Sequence, residues 1–288
     1  MRNLLTAACA AALLLAAGSA QAAPAIWAVK DADSTIYLFG TVHVTSADTQ
    51  WRTPLYDRVY AEAGEVWLEA DVFTGVDQAR AEMAAQGMDA EGRLQARIGR
   101  RDFARLVKTL KPTGLDAKLA AHLEPWFAAI MVLGANLSGA GLQTETGAET
   151  TVNAAAGADH KPIRYFETVR DQVQALATLS EASQVMFLRE ILKGGKETPA
   201  AVNDMAAAWA AGDEDALAEQ VVAEMKKRQP EMYAALFRTR NLAWAEKLDA
   251  EMHGSGVDLV TVGAGHLLGE DGLPALMRAK GYTVERVQ

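Results

Sequence analysis

The feature that most constrains the fold is a pattern that occurs twice: an apolar strand, then Gly-x-x-His, then a polar turn. The first copy covers residues 36–44 and contains His43, and the second covers residues 257–266 and ends at His266. Ligands in open α/β sheets bind outside the carboxyl ends of strands, and glycine lets a backbone turn tightly or approach a ligand there. The pair predicts one site assembled from both ends of the chain. The alternative is that each histidine only hydrogen-bonds a neighbouring loop.

The first 22 residues have the pattern of a secretory signal peptide. Arg2 gives a positive start, residues 4–17 are an apolar run, and residues 20–22 fit the small-x-small cleavage rule. The run is shorter than the about 20 residues that a membrane-spanning helix needs, although a retained anchor is the alternative. The only cysteine, Cys9, lies in this segment. We therefore expect a periplasmic or secreted mature chain without disulfides or a thiol nucleophile.

The order of predicted elements indicates an α/β fold. A hairpin (26–29 with 35–44), a helix (54–63, capped by Thr53) and a strand (65–72) form a crossover unit. The further elements are predicted to be helices over 75–142, a helix over 146–156, a strand over 162–166, helices over 171–249, a helix over 273–280 and a strand over 282–287. We expect one domain, residues 23–288, with a mixed central β-sheet built from both ends of the chain. Its long helical insertions, about 75–142 and 171–250, are expected to cap the cleft.

The net charge of −9 argues against nucleic acid or an anionic membrane as a partner. No second apolar run is long enough to span a bilayer. We expect a peptide or small-molecule substrate, and the oligomeric state stays open. The chain has no Gly-x-Ser-x-Gly elbow, which disfavours a serine hydrolase.

Glu69 is a candidate metal ligand. Alternation in its strand places Glu69 on the face of Trp67 and Asp71, and a carboxylate in a buried strand is costly unless it is paired or bound to a cation. The alternative is a strand-end glutamate that points to solvent. Two imidazoles and one carboxylate, His43, His266 and Glu69, form a plausible hydrolytic metal site.

Four further polar residues are candidates for the same site. Glu149 lies in a first helical turn, where it either complements the helix dipole or acts as a ligand or base, and Glu167 follows the strand 162–166. Either carboxylate could also orient a histidine. Arg240 and Asn241 lie on a long helix, where arginine is either solvated or directed at a substrate carboxylate or oxyanion.

Six motifs in order resemble the TraB/GumN family, which includes the TIKI proteins and is related to erythromycin-esterase-like and ChaN-like proteins. They are Gly40-Thr41-Val42-His43-Val44, Leu68-Glu69-Ala70-Asp71, Gly147-Ala148-Glu149, Tyr165-Phe166-Glu167-Thr168, Arg240-Asn241 and Gly263-Ala264-Gly265-His266-Leu267-Leu268-Gly269. The resemblance covers residues 26–287. Ala70 departs from it, since a more apolar residue is expected there.

The resemblance implies a mixed-sheet α/β core in which both Gly-x-x-His motifs meet in one cleft. It also implies metal-dependent proteolysis, because TIKI members are proteases that use manganese or cobalt. The candidate catalytic residues are His43, Glu69, Glu149, Arg240 and His266. Those expected to support the site or bind substrate are Gly40, Glu167, Asn241, Gly263 and Gly265.

The leading hypothesis is a periplasmic metal-dependent hydrolase of peptide bonds. His43, Glu69 and His266 would hold manganese, cobalt or zinc, and Glu69 or Glu149 would accept the proton of the bound water. One alternative is a metal-free esterase with His43 as general base. Another is an envelope protein that binds haem or a small ligand without turnover, and a third is a regulator that captures peptide pheromones.

Overall fold

The structure, a computed structural model, describes residues 22–44, 49–142, 147–195 and 198–288, so all but the last residue of the predicted signal peptide lies outside it. The strands are β1 (Ile26–Lys30), β2 (Ser34–Thr41), β3 (Glu65–Leu68), β4 (Ile163–Tyr165), β5 (Gly256–Gly263) and β6 (Thr283–Arg286). They form one six-stranded sheet in the order β4-β3-β5-β2-β1-β6. β1 is antiparallel to both of its neighbours, whereas β2, β5, β3 and β4 pair in parallel. The predicted mixed sheet, built from both ends of the chain, is confirmed.

Helices fill most of the sequence between the strands. They are α1 (Pro54–Glu62), α2 (Val76–Gly87), α3 (Leu94–Ile98), α4 (Arg100–Leu110), α5 (Ala117–Ala121), α6 (Pro125–Gly139), α7 (Ala148–Ala158), α8 (Val169–Ala177), α9 (Glu181–Gly194), α10 (Thr198–Ala211), α11 (Glu214–Leu217), α12 (Glu224–Arg228), α13 (Pro230–Tyr233), α14 (Thr239–Met252) and α15 (Leu273–Ala279). Two π-helical segments, Ala218–Ala223 and Ala234–Arg238, join α11 to α12 and α13 to α14. In the part of the chain that the structure describes, no helix is long and apolar enough to cross a membrane.

Local chemistry explains the first crossover. Asp31 accepts hydrogen bonds from the Ser34 and Asp33 amides and so closes the β1–β2 hairpin. The Thr53 hydroxyl then accepts from the Tyr56 amide at 3.1 Å and caps α1, and proline occupies the first helical position. The predicted hairpin and the predicted N-cap are both confirmed.

Two strands end three or more residues earlier than predicted. β2 ends at Thr41 instead of residue 44, and β3 ends at Leu68 instead of residue 72. Thr41 and Gly263 are the last paired residues of β2 and β5, and the chain after Gly263 turns into a 3₁₀ helix, Ala264–Leu267. The candidate site residues therefore follow the strands instead of lying within them.

Both faces of β3 are buried, as is usual for a central parallel strand. Val66 and Leu68 pack in one core cluster with helices α1 and α7. Trp67 packs on the opposite face, in a second cluster that contains Phe166 and Trp244. Burying each of these apolar side chains contributes about 1.5–3 kcal/mol, which fixes the direction in which the residues after β3 emerge.

Candidate functional site

The site lies at the carboxyl edge of the sheet, where three neighbouring parallel strands end. β2 and β5 pair with Thr41 opposite Gly263, and β3 lies on the other side of β5 with Trp67 opposite Val260. His43, Glu69 and His266 follow these strands by one to three residues. The topology therefore brings both Gly-x-x-His motifs and Glu69 to the same edge.

His43 forms an ion pair with Glu149. Its Nδ1 lies 3.1 Å from Oε2 of Glu149, whose other oxygen accepts a 2.7 Å hydrogen bond from the Thr41 hydroxyl. The charge of Glu149 and the hydrogen bond to it raise the pKa of His43 to about 9. Glu149 lies in the first turn of α7, so it faces both the helix dipole and His43.

A close backbone contact places Glu149 beside His43. A Cβ atom on Gly147 would lie 2.6 Å from the carbonyl oxygen of His43, too close for any side chain. Glycine at this position therefore lets the start of α7 pack directly on the chain that follows β2.

His266 is buried and neutral. Asn241 donates from Nδ2 to the Asp271 carbonyl at 2.7 Å, which turns its Oδ1 toward Nδ1 of His266 at 2.6 Å. Nδ1 therefore carries the ring proton and Nε2 has the lone pair. The ring packs between Phe237 and Trp244, with centroids 5.2 and 4.3 Å away. Burial, with a smaller effect of nearby Arg240, lowers the pKa of His266 to about 3.

Arg240 is the centre of a buried ionic network. Its Nη2 lies 2.6 Å from Oε2 of Glu69 and 2.5 Å from Oε1 of Glu167. Its Nε donates to both Glu167 oxygens at 3.1 Å, and its Nη1 contacts Nε2 of His266 at 3.1 Å. The three charged side chains are only 14, 13 and 9 % exposed, respectively. Arg240 is therefore not on a solvated helix face, and the rigid fork of its guanidinium suits two carboxylates.

The pKa values of the two carboxylates shift in opposite directions. Burial acts to raise the pKa of Glu69, but three groups together lower it to about 2: the His266 ring, which is protonated only below about pH 3, Arg240, and the Gly263 amide, which donates at 2.7 Å. Burial raises the pKa of Glu167 and the charge of Glu69 adds to this, whereas Arg240 opposes it. Glu69 is thus ionised beside the arginine, so the alternative in which it points freely to solvent is wrong.

A π-helical segment precedes Arg240 on the same continuous helix. The carbonyl of Leu236, within the segment Ala234–Arg238, accepts from Nη1 of Arg240 at 2.9 Å. π-bulges occur frequently at functional sites, where they change the direction of the side chains that follow. We did not predict this π-helical segment, because we find no signal for it in the sequence.

The candidate glycines allow close approach of neighbouring groups, and none of them has a positive φ. A Cβ on Gly263 would lie 3.2 Å from Oε1 of Glu69, and one on Gly265 would lie 2.4 Å from the Phe237 ring. A Cβ on Gly40 would lie 3.0 Å from Cα of Ala264, which also leaves little room for a side chain. The glycines therefore hold the turn after β5 against Glu69, Phe237 and β2.

Two cavities meet at His43. The smaller, of about 110 Å³, is lined by polar groups that include His43, Glu69, Glu149 and Gln172. The larger, of about 370 Å³, has a polar end at His43, Glu69, Arg240 and His266 and an otherwise apolar wall. That wall consists of Val42, Val44, Leu133, Leu137, Val202, Met205, Ala206, Leu217, Val221, Leu236 and Phe237.

Sequence reasoning missed the apolar wall, Thr41, Gln172 and the rings of Phe237 and Trp244. A signal for part of the wall was present, because Val202, Met205 and Ala206 have the i, i+3, i+4 spacing of one helix face. For the others we find no signal, because their contacts join segments that are far apart in the sequence.

The donor atoms expected to bind a metal already have partners. Arg240 contacts both Glu69 and Nε2 of His266, and Nδ1 of His43 faces Glu149. Within the described ranges, the group whose potential ligand atoms lie close together is instead Glu65, Glu251 and Asp258. That group lies near the start of β5, and Arg164 pairs with two of its members. A cation at His43, Glu69 and His266 stays a prediction, and it requires Arg240 to leave both partners.

Comparison with known proteins gives one matching family model and two similar proteins. The sequence model of the TraB/PrgY/gumN family matches residues 25–286. The chain is 26 % identical over 258 residues to the uncharacterized protein YbaP of Escherichia coli (strain K12), covering 88 % of this chain and 92 % of that protein. It is also 26 % identical over 245 residues to YbaP of Shigella flexneri, with coverages of 84 % and 87 %. No solved structure gives a significant match.

Proposed function

This chain belongs to the TraB/PrgY/gumN family, and we propose that it is a periplasmic or secreted hydrolase of carboxylic esters in which His43 activates water. The observation that carries the proposal is the His43–Glu149 pair, whose histidine lines the larger cavity. Among the described residues, Nε2 of His43 has no hydrogen-bond partner, and the His43 side chain is 67 % exposed. The ring is therefore accessible to water and to a substrate.

The proposed reaction uses His43 as base and then as acid. Neutral His43 donates a hydrogen bond from its Nδ1–H to Glu149 and keeps that proton, while Nε2 accepts a proton from water as the water oxygen bonds to the ester carbonyl carbon. The C–O bond to the leaving group then breaks, and the alkoxide takes the proton from Nε2. Glu149 stabilises the protonated ring in between. Arg240 lines the same cavity, where its charge is shared by the two neighbouring carboxylates, Glu69 and Glu167.

A metal-dependent peptidase is the second candidate. It is favoured by one observation: His43, Glu69 and Glu149 all line the smaller cavity. Manganese, cobalt or zinc held there would polarise the scissile carbonyl and lower the pKa of bound water. With His43, Glu69 and His266 as ligands, the guanidinium of Arg240 would have to be displaced.

The test compares hydrolysis of chromogenic esters and peptides by the mature protein before and after treatment with EDTA. His43→Gln should lose at least about a hundredfold in kcat/KM, the usual contribution of a general base. His253→Gln is the matched control, because His253 is an exposed histidine at the end of α14. EDTA should leave ester hydrolysis unchanged.

Calorimetric titration of metal-stripped protein with manganese, cobalt and zinc separates the candidates. Tight binding that disappears in His43→Ala, together with activity restored by the metal, would replace the ester mechanism with the metal-dependent one. Hydrolysis of none of the substrates would overturn both. In that case the absorption spectrum with added haem would test whether the cavity binds a ligand without turnover.

A further inference from the structure

The larger cavity has the size and walls of a small-molecule site. Its volume of about 370 Å³ lies within the range of about 300–1,000 Å³ found for such sites. Residues from separate parts of the chain form the walls, among them Leu133 and Leu137 on α6, Val202 and Met205 on α10, and Phe237 before α14. Such a cavity excludes water from an apolar group that enters it.

The polar end of the cavity does not favour an anion. The charge of Arg240 is shared by Glu69 and Glu167, and His43 is paired with Glu149. Among the described lining residues, both potential cations therefore already have carboxylate partners. A carboxylate or phosphate group on the substrate would meet excess negative charge.

Resting on the hydrolase function above, we propose that the substrate is an uncharged ester with a long, unbranched apolar acyl chain. The chain lies between α6 and α10, and the ester carbonyl lies at the polar end beside His43. The leaving alcohol faces the exposed side of His43. The acyl chain therefore determines specificity through its length, not through a charged group.

Each methylene transferred from water into the cavity should raise kcat/KM about fourfold, the equivalent of about 0.8 kcal/mol. Across the acetyl, butyryl, hexanoyl and octanoyl esters of p-nitrophenol, kcat/KM should therefore rise steeply, on the order of a hundredfold between butyryl and octanoyl. It should level off once the chain fills the cavity. Branched bulky acyl groups should gain less, because the walls on α6 and α10 face each other.

Ala206 and Ala207 are a matched pair for the test. Ala206 lines the cavity and is half-buried on α10, whereas Ala207 is the next residue, exposed and outside the lining. Ala206→Phe should lower the octanoyl-to-butyryl ratio of kcat/KM by tenfold or more. Ala207→Phe should leave that ratio unchanged. A second variant, Met205→Ala, should move the preference toward longer chains.

Binding of inert analogues separates failure of this inference from failure of the hydrolase function. Methyl ketones with butyl to decyl chains present the same carbonyl and chain but cannot be hydrolysed, and calorimetry measures their affinity directly. Affinity that rises with chain length and falls in Ala206→Phe supports the apolar-chain site even if no ester is cleaved. Esters cleaved at rates independent of chain length, with equal affinity for all ketones, would overturn it while leaving the hydrolase function intact.

Discussion

Nη1 of Arg240 lies 3.1 Å from Nε2 of His266. Because a guanidinium only donates, the contact requires a lone pair on this ring nitrogen, and Asn241 holds the proton on the opposite one. The two histidines of the paired motif are therefore not equivalent. His266 is a buried, neutral acceptor that positions Arg240, and His43 is the exposed, titratable ring.

The first prediction concerns the protonation of the two rings. With a pKa lowered to about 3, His266 should stay in its neutral Nδ1–H form from pH 8 to pH 5, whereas His43 should titrate at about 9. Nitrogen-15 NMR of the imidazoles measures both the tautomer and the midpoint. In Asn241→Leu the Nδ1–H loses its acceptor, which should lower the free energy of unfolding by about 1–3 kcal/mol. A ring of His266 that titrates near neutral pH would contradict the assignment.

The second prediction concerns the stability supplied by Arg240. Arg240→Met leaves Glu69 and Glu167 buried without their cation, so it should lower the free energy of unfolding by about 3–5 kcal/mol. Urea denaturation measures the change. The control is Arg238→Met, two residues earlier. Arg238 is 59 % exposed, and its contact with the carboxylate of Asp271 is long, at 3.6 Å. This substitution should lower the free energy of unfolding by at most about 1 kcal/mol. Adding Glu69→Gln to Arg240→Met should restore part of the loss.

The pH dependence of that loss has a definite sign. Glu69 has its folded pKa lowered to about 2 from an ordinary value of 4.5, so its contribution to stability is complete above 4.5 and disappears as the pH falls toward 2. The difference between wild type and Arg240→Met should therefore shrink over this interval. A difference that stays constant with pH would show that lost packing, and not the unpaired carboxylate, accounts for it.

The sequence allowed prediction of much of the fold because its signals are local. The apolar run before each Gly-x-x-His, the Thr53-Pro54 start of α1 and the polar turn at Asp31 each determine an element through neighbouring residues. The ends of β2 and β3 were predicted three and four residues too late, because the strand-like sequence pattern continues past the last paired residues. Pairing between strands stops at Thr41 in β2 and at Leu68 in β3, and no single-strand pattern contains that information.

The candidate site was predictable as a set of residues but not as a set of contacts. Glu69, Glu167 and Arg240 were each singled out, yet their shared ion pair depends on how α14 is rotated after the π-helical segment. The sequence suggested a metal because two imidazoles and a carboxylate converge. It did not indicate that an arginine from the same motif set contacts Glu69 and His266.

The third prediction is the pH profile of ester hydrolysis. The reaction needs neutral His43, so kcat/KM should rise with pH and level off above about 9. Glu149→Gln removes the charge that raises this pKa, so the midpoint should move down toward the ordinary value of 6.5. Thr41→Val is the control, because it removes a hydrogen bond to Glu149 but keeps the charge, and its midpoint should stay near that of wild type. An identical midpoint in wild type and Glu149→Gln would exclude His43 as the base.

The fourth prediction tests the contact that places Glu149 beside His43, and it uses two glycines at opposite ends of the same helix. Gly147→Ala puts a Cβ 2.6 Å from the His43 carbonyl oxygen, so α7 must move, and misplacement of about 1 Å lowers catalysis by roughly a hundredfold. Gly157 has open space around its Cα, so Gly157→Ala should stabilise the protein by about 0.5–1 kcal/mol without changing activity.

Two measurements on this pair distinguish movement of Glu149 from general damage. In Gly147→Ala the midpoint of the pH profile should fall together with kcat, because Glu149 no longer lies within hydrogen-bonding distance of His43. If kcat falls while the midpoint stays at the wild-type value, Glu149 has not moved and the substitution acts elsewhere. His43 lies before β3 in the sequence and Glu149 lies after it. A joint fall of kcat and of the midpoint would therefore show that the close approach of these residues, more than the presence of both, determines the activity.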